Sequence, residues 1–389
     1  MIRAIKIRLL PTKEQEILMY KSVGCSRFAY NWALNRCNEL HEQGQKYSMA
    51  NVRKEFTKLK KQKEYEWLNE VSNTTMVESM RNLDGAFKSF FKQHSKYPSF
   101  KSKRRASQSF YVRYDQLYFK DGTCNIEKIG KVKYKTNYEI PQGKNVCTFT
   151  SPYCSFDGKY WYLGFGISVE ENQTKLNENL SVGIDLGVKD LAIVNVLDKP
   201  IRNINKTKKV RKIKKRLKRL QRQVSRKYEA NKQGDKFIKT SNIVKTERKI
   251  KLLHRKLSNI RKNHIHQATS MIVKLKPYRV VMEDLNVKGM MSNRHLSKAI
   301  QEQCFYEFIR QMKYKCEFNG IEFVQARRNF ASSKTCSRCG CIKQDLTLKD
   351  RTYVCKHCGL VIDRDKNASI NLANYVPAQA NEEKSASMK

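Results

Sequence analysis

Residues 183–195 read GIDLGVKDLAIVN, and this stretch decides the fold of the C-terminal half of the chain. Residues 182–188 read as a buried strand carrying one acid, Asp185, and residues 191–196 as a second strand, so a hairpin is expected. A carboxylate on a buried strand is costly unless it is paired or binds a cation. VVMEDLNVKG at 280–289 repeats the arrangement, a short apolar strand ending in Glu283. Further on, Asp363 and Asp365 stand just before the helix-like run Ala368-Ser369-Ile370-Asn371-Leu372-Ala373. Outward from residue 180, strand and helix patterns alternate, as in an α/β domain. Three acids at three strand or helix ends can converge across an open sheet and hold two hard divalent cations about 3.5–4 Å apart. Oxygen ligands shared with substrate phosphate and water suit magnesium. Taken singly, each acid could instead cap a helix or pair with a nearby Lys or Arg. Their recurrence in this order, with apolar strands before two of them, weighs against that reading.

Between the second and third acids lie two CxxC pairs, Cys336/Cys339 and Cys355/Cys358, fifteen residues apart. Gly340 and Gly359 each follow the second cysteine of a pair, as in tight knuckles whose backbone amides face thiolates. Four thiolates at about 2.3 Å fit one tetrahedral, structural zinc with no open position. Cys341, beside the first knuckle, could compete with Cys339 but is left out of the ligand set. The other seven cysteines show no ligand spacing. His357, inside the second knuckle, reads as a solvated side chain that could also reach a phosphate.

The 389 residues carry 79 Lys+Arg against 36 Asp+Glu, a formal charge of +43. Apolar content of 40% with 10% aromatic residues indicates a folded chain long enough for two or three domains. A surface this basic calls for a polyanion, and nucleic acid fits because Lys and Arg on phosphates release counterions. A basic protein without specificity and a membrane-surface protein are the competing readings. No run approaches the ~20 apolar residues of a membrane span. Residues 1–6 lack the apolar core of a signal peptide, so a reducing, cytoplasmic setting is expected.

The charge is concentrated. Residues 206–227 hold 13 Lys or Arg and no acid, with Val210, Ile213, Leu217, Leu220 and Val224 forming one apolar stripe. A second helical stripe, Ile250, Leu253, Leu257 and Ile260, follows Gly234-Asp235, which predicts a helical hairpin. Without internal ion pairs the first helix is expected to contact phosphates through Lys208, Lys209, Arg211, Lys212, Lys215, Arg216, Arg219 and Arg222. Lys103, Arg104 and Arg105 form a second basic cluster.

In the N-terminal half, residues 2–10 alternate as a strand and Pro11 stops it. Thr12 and Gln15 have capping-box spacing, and so do Thr75 and Glu78 ahead of Met76, Met80, Leu83, Phe87 and Phe91. Residues 12–95 thus read as a small helical domain whose apolar stripes are core. From about 97 to 170 aromatic and β-branched residues alternate with polar ones between turn signals such as Asp121-Gly122 and Asp157-Gly158, a β-rich segment with hairpins. If the opening strand pairs with it, the helical domain is an insertion in a β-barrel. Residues 172–179 read as a linker, and the polar tail after about 376 as disordered.

At this point the chain resembles the TnpB family of transposon-encoded nucleases, relatives of the compact type V CRISPR effectors. RAIKIRLLPTKEQ (3–15), GCSRFAYNWALN (24–35), GIDLGVKDLAIVN, MEDLNVKGM (282–290), TCSRCG (335–340) and YVCKHCGLVIDRDKNASINLA (353–373), in that order, look like the family's landmarks. The resemblance implies an α+β multidomain protein: a RuvC-like (RNase H-like) α/β nuclease domain at 176–375 with an inserted zinc module at about 330–362. A β-barrel wedge (1–11 and 97–175) holding a helical recognition insert (12–96) would precede it, and 376–389 would be a disordered tail. It implies Asp185, Glu283 and Asp365 as metal-binding catalytic residues, the last acid being that of Asp-x-Asn-Ala, with Asp363 as fallback. It implies two catalytic magnesium ions, one structural zinc, a guide RNA from the transposon end, and cleavage of matching double-stranded DNA beside a short flanking motif, which helps the element persist. Residues 290–298 would form a lid over the active site. The approach to the first knuckle, Phe330 to Thr335, departs mildly from the family's Tyr-Thr-Ser-like run. Two other readings stand beside this one: a DNA-binding repressor without cleavage, against which the intact acids argue, and an unguided nuclease or DNA-joining transposase. A large RNA accounts for +43 more easily than a short DNA site does.

Overall fold

The computed structural model describes residues 1–144, 146–169, 175–347 and 350–377. Most of the expected tail, from 378 on, therefore lies outside the described residues, as do 170–174 of the expected linker. The chain divides into two compact units, Met1–Glu170 and Glu171–Lys389.

The first unit opens with strand β1 (Ile2–Leu10), whose Ile5, Ile7 and Leu9 are buried on one face. Helix α1 (Lys13–Glu42) follows behind the expected capping box: the Thr12 hydroxyl accepts from the Gln15 N–H and the Gln15 side chain accepts from the Thr12 N–H. Helices α2 (Met49–Leu59) and α3 (Asn73–Phe91) complete a small helical core around Ala29, Ala33, Val52, Met76, Met80 and Leu83. Two expectations are corrected here. Helix α3 starts after Ser72, and Thr75 lies inside it, its buried hydroxyl donating to the Tyr111 carbonyl at 2.8 Å. Satisfying a neighbouring strand's carbonyl outweighed a local cap at that position. Phe91, read as core, is 66% exposed because the helix runs past the packed layer.

Strands β2 (Ser109–Tyr111), β3 (Tyr118–Lys120), β4 (Thr123–Ile126), β5 (Gly130–Lys135), β6 (Thr150–Phe156) and β7 (Trp161–Ser168) join β1 in one seven-stranded antiparallel sheet, order β2-β6-β7-β1-β5-β4-β3. The opening strand does pair with the later β-rich segment, so the helices are an insertion between strands of one sheet. No ladder joins β2 to β3 among the described residues, yet the sheet is strongly curled. Phe119 on β3 and Phe165 on β7 are four strand steps apart, about 19 Å in a flat sheet. Their ring centroids lie 5.3 Å apart, around a core shared with Phe149.

The second unit begins with β8 (Asn177–Leu186) and β9 (Ala192–Val194), the expected hairpin, with Ile184 opposite Val194. The polar residues 177–179, read as linker, belong to β8, since a ladder uses backbone groups whatever the side chains. Helix α4 (Lys208–Ala230), a short ribbon β10 (Lys232–Gln233) and β11 (Lys236–Phe237), and helix α5 (Ser241–Lys274) form the expected helical hairpin, Val210, Ile213 and Leu217 packing on Leu253, Leu257 and Ile260. Strand β12 (Pro277–Glu283), helices α6 (Val287–Ser292), α7 (Ser297–Gln303) and α8 (Phe305–Phe318), and strand β13 (Glu322–Ala326) follow. The sheet order is β13-β12-β8-β9, with β12 parallel to both β13 and β8. Strands β14 (Thr352–Val354) and β15 (Val361–Asp363) and helix α9 (Arg364–Ala373) end the described elements.

Alternation along these strands separates two faces. Val182, Ile184, Val280 and Met282 pack with Ile265, Ile272, Phe308 and Met312 of α5 and α8. Val281 on the opposite face packs with Leu372 of α9. By the same alternation Gly183, Asp185 and Glu283 belong to the α9 face. No described helix is long and apolar enough to cross a membrane.

Candidate nuclease site and cysteine module

Asp185 and Glu283 stand side by side at the carboxyl ends of adjacent parallel strands, one residue past the Ile184–Met282 pair. That end of an open α/β sheet is where such folds place ligands. Asp365 comes from the first turn of α9. Burial first, then the charges of Asp365 and Glu283, pushes the Asp185 carboxyl up to about 8, with Arg364 opposing. Burial and then Asp284 raise Glu283. Asp185 and Asp365 line one cleft of about 460 Å³ together with Lys189, Lys334, Arg351 and Arg364. Glu283 is not among the residues lining it. Arg364 donates to Asp365 at 2.8 Å and Arg351 approaches it at 3.7 Å. Asp363 is engaged elsewhere: it caps α9, accepting from the Asp365 and Lys366 N–H groups.

Helix α9 is lashed to the sheet along its length. A Cβ on Gly183 would lie 2.0 Å from the Ser369 carbonyl oxygen and 2.4 Å from the Ala373 nitrogen, so only glycine lets the helix backbone lie this close to β8. Lys366 Nζ donates to the carbonyls of Val194, Asn195 and Leu197 at 3.3, 2.7 and 2.8 Å. At the other end Ser181 Oγ and Arg279 Nη2 donate to the Ala373 carbonyl, where a cation also opposes the helix dipole. Gly183, Lys366, Ser181 and Arg279 were not singled out in the sequence. A glycine at 183, two residues before the acid on the same strand face, was the available signal.

The four cysteines converge. Their sulfurs lie within 4.8 Å of one another, with Cys336–Cys358 and Cys339–Cys355 at 3.6 Å. The edge of a tetrahedron with bonds of ~2.3 Å is about 3.8 Å, so the set fits zinc. Gly340 and Gly359 have φ of +75° and +70°, the left-handed turn each knuckle needs. The N–H groups of Cys358 and then His357 hold the Cys355 thiol down to about 6. Cys341 sits with Cys339 and the exposed His357 in a second, overlapping group. Asn367 of α9 accepts from the Ser337 N–H at 2.9 Å and donates to the Thr335 carbonyl at 2.7 Å. Asn371 donates to the Ser332 and Thr335 carbonyls. The first knuckle is therefore fastened to the helix that carries Asp365.

The basic residues singled out on α4, Lys208, Lys209, Arg211, Lys212, Lys215, Arg216, Arg219 and Arg222, are all exposed, as are Lys103, Arg104 and Arg105 in the first unit. The eight on α4 make no ion pair among the described residues, while Lys214 beside them pairs with Glu302 at 2.5 Å. Of the segment 290–298, residues 290–292 belong to α6 and 297–298 to α7, with a turn at 293–296 between them.

This fold is shared with a compact Cas12 effector. The solved structure of a Cas12f1-sgRNA-target DNA complex shares this fold over 96% of the chain and 99% of that chain, at a TM-score of 0.56 and 14% identity. The chain itself belongs to the TnpB family. A relative from Streptomyces pristinaespiralis named "Putative RNA-guided DNA endonuclease" is 30% identical over 95% of this chain and 88% of its own length. InsQ of Escherichia coli K12, bearing the same description, is 28% identical over 95% of this chain and 91% of its own. Family profiles described as "Probable transposase" of the IS605 OrfB type match residues 165–294, and "Cas12f1-like, TNB domain" residues 305–372. A "Helix-turn-helix domain" profile matches residues 1–46, which here form one strand and one unbroken helix.

Proposed function

We propose that this chain is an RNA-guided DNA endonuclease encoded by a transposon, which binds an RNA from the element end and cuts guide-matched double-stranded DNA beside a short flanking motif. Membership of the TnpB family supports the class. The observation that carries the chemistry is that Asp185, buried beside Glu283 at the carboxyl ends of parallel strands, sits where the charges of Asp365 and Glu283 both penalise its own. Folding gains nothing from that repulsion, and cations relieve it. The donor set fits hard cations: carboxylates, with no thiol or imidazole among the residues lining the cleft. Asp185, Glu283 and Asp365 would hold two magnesium ions, and Cys336, Cys339, Cys355 and Cys358 one zinc. Bound magnesium supplies activation of the attacking water and stabilisation of the leaving oxygen. The chain's own groups set the stage: Arg364 fixes Asp365, and Lys189, Lys334 and Arg351 draw a phosphate backbone into the cleft. Exposed cations of α4, with Lys103, Arg104 and Arg105, hold nucleic-acid backbone while base pairing reads sequence.

In this reading residues 1–11 and 97–175 are a wedge, 12–96 a recognition insert, 176–375 the RuvC-like nuclease with its zinc module at 330–362, and 290–298 a lid. Cutting sites from which the element has been excised would support its retention, in the nucleoid of a prokaryotic cell. The test is to purify the chain from cells carrying its native locus and sequence the bound RNA. One abundant RNA ending at the element boundary, supporting magnesium-dependent cutting of matched DNA, is expected. Asp185→Ala, Glu283→Ala and Asp365→Ala should each abolish cutting and keep the RNA. Full activity in any of them removes that residue from the site. Binding without cutting in the unaltered chain points to a repressor, and cutting that ignores sequence points to an unguided nuclease or transposase.

A further inference from the structure

Helix α1 carries a face whose aromatics, Phe28 and Trp32, pack on the helical core on one side and leave an open cleft on the other. Gly24, Arg27, Phe28, Asn31, Trp32 and Asn35 recur at helical spacing and line an open cleft of about 600 Å³, walled by Trp67 and Phe100. Trp67 is 42% and Phe100 56% exposed. A glycine inside a 30-residue helix weakens it relative to alanine. Among the described residues no close approach explains its presence, since a Cβ on Gly24 would meet no atom within 4 Å. The space it leaves opens on the aromatic walls.

The cleft is also built against a basic rim. Asn31 grips the backbone of Lys101 from both sides, donating to its carbonyl at 2.9 Å and accepting from its N–H at 2.8 Å. The Lys101 ammonium lies 3.6 Å from the centre of the Tyr30 ring. This fixes the segment that runs from Phe100 into the exposed Lys103, Arg104 and Arg105. Arg27 makes no ion pair among the described residues. Aromatic faces beside backbone-tracking cations form a stacking platform for unpaired nucleotides.

We propose that this cleft holds an unpaired stretch of the guide RNA, with one or two bases stacked on Trp67 and Phe100 and their phosphates on Arg27 and the 103–105 rim. The proposal rests on the guided-nuclease reading. RNA is the occupant because its loops present bases already unstacked, whereas duplex DNA arrives with its bases paired and must spend a few kcal/mol to release each one.

Gly24→Glu tests it without dismantling the fold. The substitution adds helix propensity and finds open space, but places a bulky anion in the cleft. Gly24→Ala is the control. Two of the three tryptophans, Trp32 and Trp67, line the cleft, so single-stranded oligouridine should quench intrinsic fluorescence in the wild type. In Gly24→Glu the quenching should vanish, and affinity for the copurified RNA should fall about tenfold at fixed salt with melting temperature unchanged. Trp67→Ala with Phe100→Ala should lower RNA affinity similarly, and 4-thiouridine in the bound RNA should crosslink to one of these rings. Wild-type affinity in both variants while the wild type carries its RNA overturns the cleft alone. Crosslinks from a thiolated DNA strand in place of RNA overturn the RNA assignment. A wild type with no bound RNA overturns the guided-nuclease reading and this inference with it.

Discussion

Asp185 sits where burial and neighbouring carboxylates penalise its charge together. Its carboxyl is pushed up to about 8, whereas an unfolded aspartate titrates near ~4. Between those values the native chain binds the extra proton, so without added divalent cation its stability falls as pH rises through the window. The slope is absent below the unfolded value and flattens above the native one. Melting in cation-free buffer at pH 5.5, 7 and 8.5 should show the decline, and Asp185→Asn should remove most of it. An equal slope in both proteins would mean that another group titrates. The sequence marked Asp185 as an acid on a buried strand. It also left Asp363 as a fallback for Asp365, and the Asp363 side chain caps α9.

Among the elements, α9 connects most of the second unit's features. It lies against β8 at Gly183, is held at its first turn by Lys366, and fastens the cysteine module through Asn367 and Asn371. Gly183→Ala has backbone, not a flexible side chain, in its way, so the helix must move. Destabilisation of about 1–3 kcal/mol is expected by analogy with overpacked cores, with cleavage lost more steeply than RNA binding. Lys366→Met removes the side-chain donor from three carbonyls, of which that of Val194 keeps the Leu197 N–H, and should cost a similar amount. If cleavage follows stability in both, α9 is only structural. Cys336→Ser or Cys355→Ser should lose zinc and open residues 330–362 to protease, since a structural zinc site supplies folding energy directly. Normal zinc content with normal protease resistance in both variants would contradict the four-cysteine assignment.

Across the whole molecule the net charge of +43 is the dominant property, and α4 concentrates it without internal neutralisation. Replacing Lys208, Lys209, Arg211 and Lys212 with glutamine should weaken nucleic-acid binding and lower the slope of log affinity against log salt by up to about three. An unchanged slope would show that these side chains face only solvent. Apolar positions on the same helix, such as Val210 and Leu217, anchor it to α5, so a loss of binding should not come with loss of helix.

Local chemistry in the sequence determined a good deal by itself. The β8–β9 hairpin, the α4–α5 hairpin, the capping box at Thr12 and Gln15, and the CxxC knuckles each depend on residues close in the chain, where hydrophobic period, turn residues and ligand spacing suffice. Tertiary structure decided what depends on distant partners. Thr75 turned from a cap into a bond to Tyr111, Phe91 was left outside the core, and polar residues 177–179 became strand. Phe28 and Trp32 of α1 pack on the helical core and also line an open cleft. The curl that brings Phe119 to Phe165, and the fit of α9 over Gly183, are long-range too. Side-chain type records how much a residue can bury or donate; which surface arrives to receive it is settled only when segments distant in the chain pack together.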